Sequence, residues 1–282
     1  MEVDCAECAG CCLDWRPLGR TDDSPATDSR SIDDWVNFVT LSRDDISALL
    51  AAGYGDVFRP RLWYADEADA GATVDAIDIA TIAGNPVFSV GLRQVWKPVG
   101  PFGQVPSQLE TCVFLDPMTL QCRIHTTDHY PTTCSTYPGQ HLLMDVETEC
   151  ERVESHWAIP RLLEDSLPED LHAPPLGPQS LGSTVFVHPE PDDLSGSIDR
   201  LRRDQLTRDD RIEFAAIALA QSPGMPQIDR TKYATARERL ESAISWVTES
   251  RERLVQESNP TPAAVSICES NRGAPKTDGW SE

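Results

Sequence analysis

Lysine is nearly missing from this 282-residue chain: Lys97, Lys232 and Lys276 are the only three, and arginine supplies the rest of the basic charge. With 24 basic against 46 acidic residues, the net charge is −22. That balance argues against nucleic acid as a ligand, because such binding draws on concentrated Lys and Arg. An acidic, lysine-poor surface suits a protein kept soluble in very salty cytoplasm, where ions screen self-repulsion. The acid is spread along the whole chain, which favours this halophilic reading over a partner-binding acidic face. No run approaches the ~18 apolar residues of a membrane span. The opening MEVDCAEC is acidic where a secretory leader needs basic charge before an apolar run. The expectation is a cytoplasmic protein whose thiols stay reduced. Catalytic signatures are missing too: there is no G-x-S-x-G, no H-E-x-x-H and no P-loop.

Cysteine is what the chain has. Four of its nine stand in one short stretch, CAECAGCC, as Cys5, Cys8, Cys11 and Cys12. Repeated C-x2-C steps let several thiolates converge on one cation, as zinc sites and the opening of ferredoxin runs do. Gly10 is expected to let this backbone turn sharply. Neighbouring side chains in extended chain point apart. Cys11 and Cys12 are therefore expected to face two metal sites, or one to ligate while the other packs beside it. A second region supplies Cys112, Cys122, Cys134 and Cys150. Eight thiolates could form two four-sulfur sites or a single site with spare thiols. An odd total in a reducing compartment argues against a disulfide scaffold. Burial of small apolar residues does not account for the x2 spacing. Cys268 reads as an uninvolved thiol, His125 as a hydrogen-bonding neighbour of the site more readily than a ligand, and His129 as a loop residue.

Hydrophobic content of 40% is that of a folded protein. LSRDDISALLAAG reads as a helix capped by Ser42, with Asp45 three residues on, Ile46, Leu49 and Leu50 inward, and Gly53 as its stop. VDAIDIATIAGNPVFSV predicts two strands about a Gly-Asn-Pro turn. STVFVH reads as an isolated strand. Thr207 with Asp210 opens a second helix. Residues 229–257 predict one long helix with Tyr233, Ala236, Leu240, Ala243, Ile244, Val247 and Leu254 on its apolar stripe. The loop GRTDDSPATDSRS and the last residues lack periodicity.

The spacing C-x2-C-x2-C-C, followed by C-x-F-L (Cys112, Phe114, Leu115), C-x-I-H (Cys122, Ile124, His125) and P-x2-C (Pro131, Cys134), resembles the YkgJ-type cysteine-cluster family, described as a zinc- or iron-chelating domain. The resemblance touches residues 5–138 at two ends. It departs at Tyr130 and Ser135, where the family usually has arginine, and at Gly10, one position later than the family's glycine. The Cys122–Cys134 interval is also slightly long. The resemblance implies a zinc- or iron-binding protein; zinc is the first choice, as the least demanding explanation, and iron or an iron–sulfur cluster the second. Some proteins similar to the family are flagellin lysine N-methylases, so an iron–sulfur-containing protein-modifying enzyme is the alternative, although no cofactor-binding motif supports it.

The expected architecture is α+β, mainly helical with a few short strands. It comprises a metal-stapled cysteine-cluster domain (1–158), a Pro/Gly-rich linker (159–196), a helical region (197–257) and a disordered tail (258–282). The metal ligands expected are Cys5, Cys8, Cys11, Cys12, Cys112, Cys122, Cys134 and Cys150. The expected partner is a metal ion, with no nucleic acid and no membrane.

Overall fold

A computed structural model describes residues 1–19, 30–66, 71–174, 177–243, 245–254 and 259–277. Its elements begin with β1 (Glu2–Val3), α1 (Arg43–Ala51), β2 (Phe58–Leu62), β3 (Ala72–Val74), β4 (Ile77–Ile79) and β5 (Thr81–Ile82). Next come β6 (Asn85–Leu92), β7 (Gln94–Val99), β8 (Ser107–Cys112), α2 (Thr132–Ser135), α3 (Gly139–Leu143) and α4 (Glu149–Trp157). The last are β9 (Leu162–Glu164), β10 (Phe186–Val187), α5 (Ser197–Arg202), α6 (Arg208–Ala220), α7 (Arg230–Ser242), α8 (Trp246–Leu254) and α9 (Pro262–Ser270). The chain is a mixed α/β protein with 37% helix and 20% strand, less helical than its sequence suggests. No helix among the described residues is long and apolar enough to cross a membrane.

Two compact units share the chain. Met1–Pro25, Arg93–Pro174 and Trp246–Glu282 form the first, and Ala26–Leu92 with Pro175–Ser245 the second. This interleaving replaces the contiguous division expected at 158, 196 and 257. The Pro- and Gly-rich stretch contains a change of unit, and a second change falls within the predicted 229–257 helix. That helix is accordingly two, α7 and α8, in different units. Ile244 of the predicted stripe and residues 255–257 of the predicted helix lie outside the described residues, as does most of the 19–31 loop.

The second unit is built on the order β10-β6-β2, with β5 also paired to β6, all antiparallel. The predicted hairpin is there, but its turn is Ala83–Gly84, and Asn85 and Pro86 already belong to β6. The strand at 186–187 is not isolated: Phe186 pairs with Phe88. Phe88, Phe186 and Phe214 are fully or nearly fully buried, with ring centroids 5.7 and 4.9 Å from Phe88. Burying each such ring contributes roughly 1.5–3 kcal/mol. Both short-range helix signals hold. Ser42 and Asp45 form a capping box on α1, as do Thr207 and Asp210 on α6.

The first unit centres on the β7–β8 hairpin, against which α9 packs, with α8 alongside α9. Residues 262–270 are therefore helical where the sequence reads as tail. Four buried ions lie beneath this packing. Lys97 Nζ reaches Glu269 at 2.9 Å and donates to the carbonyls of Val113 (2.9 Å) and Leu115 (2.7 Å). The Arg123 guanidinium bridges Asp116 (3.0 Å) and Glu269 (3.1 Å) and donates to Pro275 O at 2.8 Å. Charges this deeply buried hold only when paired. Their pairing fixes α9 to the loop between Cys112 and Cys122.

Candidate metal centre

The first cluster is a doubled-back loop. Glu7 and Ala9 take the left-handed region, with φ of 54° and 55°. Cys8 N–H donates to Cys5 O (3.3 Å) and Cys12 N–H to Ala9 O (2.8 Å). Gly10–Cys12 then close a 3-10 turn. Ala9, not Gly10, supplies the unusual backbone conformation. Glycine is needed at position 10 for space, because a Cβ there would lie 2.9 Å from Val153 Cγ2 and 3.4 Å from Cys8 Sγ. Its N–H also donates to Cys8 Sγ at 3.4 Å. The turn overrides the expectation that Cys11 and Cys12 point apart. Their sulfurs lie 3.8 Å from each other, about the edge of a tetrahedron with metal–sulfur bonds near 2.3 Å.

Helix α4 brings the fourth distant cysteine. Thr148 and Glu151 form its capping box, which places Cys150 in the first turn, and Val153 packs on Gly10. Glu149 is buried beside it, accepting from Trp15 Nε1 and from Arg152 (2.9 Å). Tyr137 Oη accepts the Glu149 backbone N–H.

The second region meets the first by backbone pairing. Leu13 bridges Thr111 antiparallel, and Asp14 N–H donates to Glu110 O at 2.7 Å. This register sets Cys12 opposite Cys112 at the end of β8. An antiparallel bridge from Leu115 to Cys122 folds the Asp116 loop back, so Cys122 returns beside Cys112. Cys134 sits in α2 after Pro131. Burial raises the Tyr130 hydroxyl, and Cys134, Cys122, Cys12 and Cys11 add to the shift.

Burial raises Cys150, and the nearby thiols Cys11, Cys8 and Cys5 add to it; Cys12 is raised by its hydrogen bond with Cys11, by burial, and by Cys112 and Cys122. Burial pushes Cys8 and Cys112 up to about 11, and Cys122 up to about 12. The hydrogen bond from Cys12 lowers Cys11. Lys97, the one cation among the main influences on Cys112 and Cys122, pulls both down. Asp4 raises Cys5, Glu149 raises Cys8, and Glu154 raises Cys150, while Arg161 pulls Cys5 and Cys8 down.

Among the described residues, no three His, Cys, Asp or Glu side chains form a group that could hold a metal ion. The metal staple expected from the sequence is therefore not seen. The two regions are joined by the Leu13–Thr111 pairing and by α4 packing on the first turn. What does fit a soft cation is the chemistry of the donors: eight thiols, none in a disulfide, with the adjacent part-buried Cys11 and Cys12 sulfurs 3.8 Å apart. His125 is exposed and leans on Tyr130, with ring centroids 5.0 Å apart. Cys268 lies on α9 and accepts from Arg272 at 3.1 Å. Sequence reasoning missed Lys97, Glu149 and Tyr137. The scarcity of lysine was the one clue, since a chain that avoids it still buries Lys97 at 1% exposure.

A family model described as a family of unknown function, DUF7531, matches residues 1–281. The chain belongs to this family. The match spans both units, so the interleaved arrangement and both cysteine regions fall within one family description. No curated protein and no solved structure matches the chain.

Proposed function

We propose that this DUF7531 protein is a cytoplasmic metal-binding protein that holds soft cations in its cysteine basket, with zinc the first choice and iron the second. The observation that carries the reading is the pairing of Leu13 with Thr111, which sets Cys12 opposite Cys112 and so gathers two distant cysteine regions. The resemblance to the YkgJ-type cluster supports it on independent grounds of spacing. The candidate ligands are the eight clustered thiols Cys5, Cys8, Cys11, Cys12, Cys112, Cys122, Cys134 and Cys150, with Cys11 and Cys12 the pair whose sulfurs already lie 3.8 Å apart. A bound zinc ion would supply a fixed positive charge that lets several neighbouring thiols exist as thiolates. The chain's own part is to bring those thiols together and to keep water from Cys8, Cys112 and Cys150. The acidic, lysine-poor composition goes with a cytoplasm of high salt.

The test is elemental analysis of protein purified anaerobically from its own host, because heterologous expression often inserts the wrong metal. Zinc at one to two equivalents, lost together with protection of the thiols against alkylation, is the expected result. A brown protein carrying iron and sulfide would select the second metal. Metal-free protein whose cysteines alkylate freely, with or without added zinc, would end the reading.

A further inference from the structure

A cleft in the first unit lies outside the thiol chemistry. It opens between the β7–β8 hairpin and helices α8 and α9, with a volume of about 250 Å³, and every residue lining it belongs to that unit. The volume falls just under the ~300–1,000 Å³ of drug-sized ligand sites, so an occupant is small. Most of the lining is apolar: Pro98, Val247 and Val265 are buried beneath it, and Trp96 stands at its edge, 57% exposed. The polar side chains are more telling. Ser250 lines the cleft at 3% exposure, and its Oγ has no hydrogen-bond partner. A buried hydroxyl left unmet is unfavourable, so this one marks a place for an acceptor. Arg251 is exposed in the lining, and its guanidinium has no ion pair or hydrogen bond among the described residues. Arg123, Arg152 and Arg161 of the same unit are all paired. Glu269 also lines the cleft, but Lys97 at 2.9 Å and Arg123 at 3.1 Å meet its charge. Glu249 and Glu252 are not spaced to share the face of α8 that carries Arg251. The uncompensated charge at the cleft is therefore positive.

An apolar cleft with an unmet hydroxyl in its wall and an unpaired guanidinium at its mouth has the parts that hold an organic acid. We propose that it binds a small carboxylate with an aromatic body. The ring lies against Trp96, Pro98 and Val265, the carboxylate pairs with Arg251, and the Ser250 hydroxyl gains its acceptor. Arginine suits this role because its planar fork can take both carboxylate oxygens, in a charge-assisted pair stronger than a neutral one. An aromatic body suits Trp96, whose ring offers an offset or edge-on partner. No cysteine takes part, so the proposal stands apart from the metal-binding reading.

The experiment titrates the full chain, at fixed high salt, with phenylacetate, with its neutral isostere phenylacetamide and with acetate, read by calorimetry. Phenylacetate should bind at least tenfold more tightly than the amide, which lacks the charge, and than acetate, which lacks the ring. Arg251→Gln changes an exposed side chain and should weaken phenylacetate at least tenfold while leaving the amide unchanged. Trp96→Ala should weaken acid and amide by similar factors, because it removes the partner of the ring and not of the charge. Ser250→Ala should weaken phenylacetate several-fold yet leave the unliganded protein at least as stable in urea, since it deletes a buried hydroxyl that nothing meets. No binding of phenylacetate at millimolar concentration, equal affinity for acid and amide or for acid and acetate, or a preference for the acid that survives Arg251→Gln would overturn the proposal. A destabilised Ser250→Ala would do so too, by showing that the hydroxyl is partnered within the protein. Each of these outcomes leaves zinc content and thiol protection to be judged separately.

Discussion

Ala9 and Gly10 make opposite demands on one turn, and exchanging their chemistry tests how the first cluster is built. Ala9 sits at φ 55°, ψ 14°, a region that costs an L-residue about 1–2 kcal/mol. Glycine at that position removes the steric cost but loses more chain entropy on folding, roughly 0.5–1 kcal/mol. Ala9→Gly should therefore stabilise the protein by about 0.5–1 kcal/mol. Gly10→Ala should do the reverse. The new methyl would lie 2.9 Å from Val153 Cγ2, against the ~3.5–4.0 Å at which carbon atoms pack best. Overpacking of this kind costs about 1–3 kcal/mol. Val153 is fully buried on the helix that carries Cys150, so the clash also pushes Cys150 away from Cys8 and Cys11. The assay is urea unfolding at fixed high salt, followed by tryptophan fluorescence, on metal-free and zinc-loaded protein. Gly10→Ala should also weaken zinc retention, whereas Ala9→Gly should leave it unchanged. A destabilised Ala9→Gly or a neutral Gly10→Ala would show that the turn is not constrained as described. The glycine of the YkgJ-type pattern, one position earlier than Gly10, falls on this same left-handed residue.

Arg123→Met leaves Asp116 and part of Glu269 buried without their cation and should cost about 3–5 kcal/mol in urea unfolding. A loss below 1 kcal/mol would mean that the four-ion cluster is solvated in solution. Thr148→Ala removes the cap of α4 and should cost about 1 kcal/mol, with faster alkylation of Cys150. An unchanged alkylation rate would refute the coupling. Burial lowers the His188 imidazole below its ordinary value, so folding favours its neutral form. Its contribution to stability is complete above about pH 6.5 and is lost as pH falls through the folded value. His188→Gln should therefore flatten the loss of stability between neutral and mildly acidic pH, read as urea midpoints across that range. An identical slope in the variant would assign the loss to other groups.

Local signals were legible wherever a few neighbouring residues decide the outcome. Ser42 with Asp45 and Thr207 with Asp210 each close a helix on themselves. Signals failed where partners distant in sequence decide. The apolar stripe from Tyr233 to Leu254 looks continuous, yet α7 packs in one unit and α8 in the other. No periodicity can report a change of packing partner between Ser242 and Trp246. PAAVSICES has little amphipathic pattern, and it is ordered by Glu269 reaching Lys97 and Arg123. The 3.8 Å approach of the Cys11 and Cys12 sulfurs was not legible because the direction of adjacent side chains depends on whether the chain is extended or turned. The left-handed Ala9 that turns it carries no glycine to announce it.

The interleaving of the two units also imposes a timetable on synthesis. A ribosome adds roughly 5–20 residues per second, so Cys12 waits on the order of ten seconds before Cys150 exists. The second unit has all its segments once Ser245 is made, whereas the first still lacks the carboxylate of Glu269 that completes its ion cluster. The earliest thiols to leave the ribosome are thus among the last to be enclosed. For that interval, chance oxidants and stray metals compete for them on equal terms with their eventual neighbours.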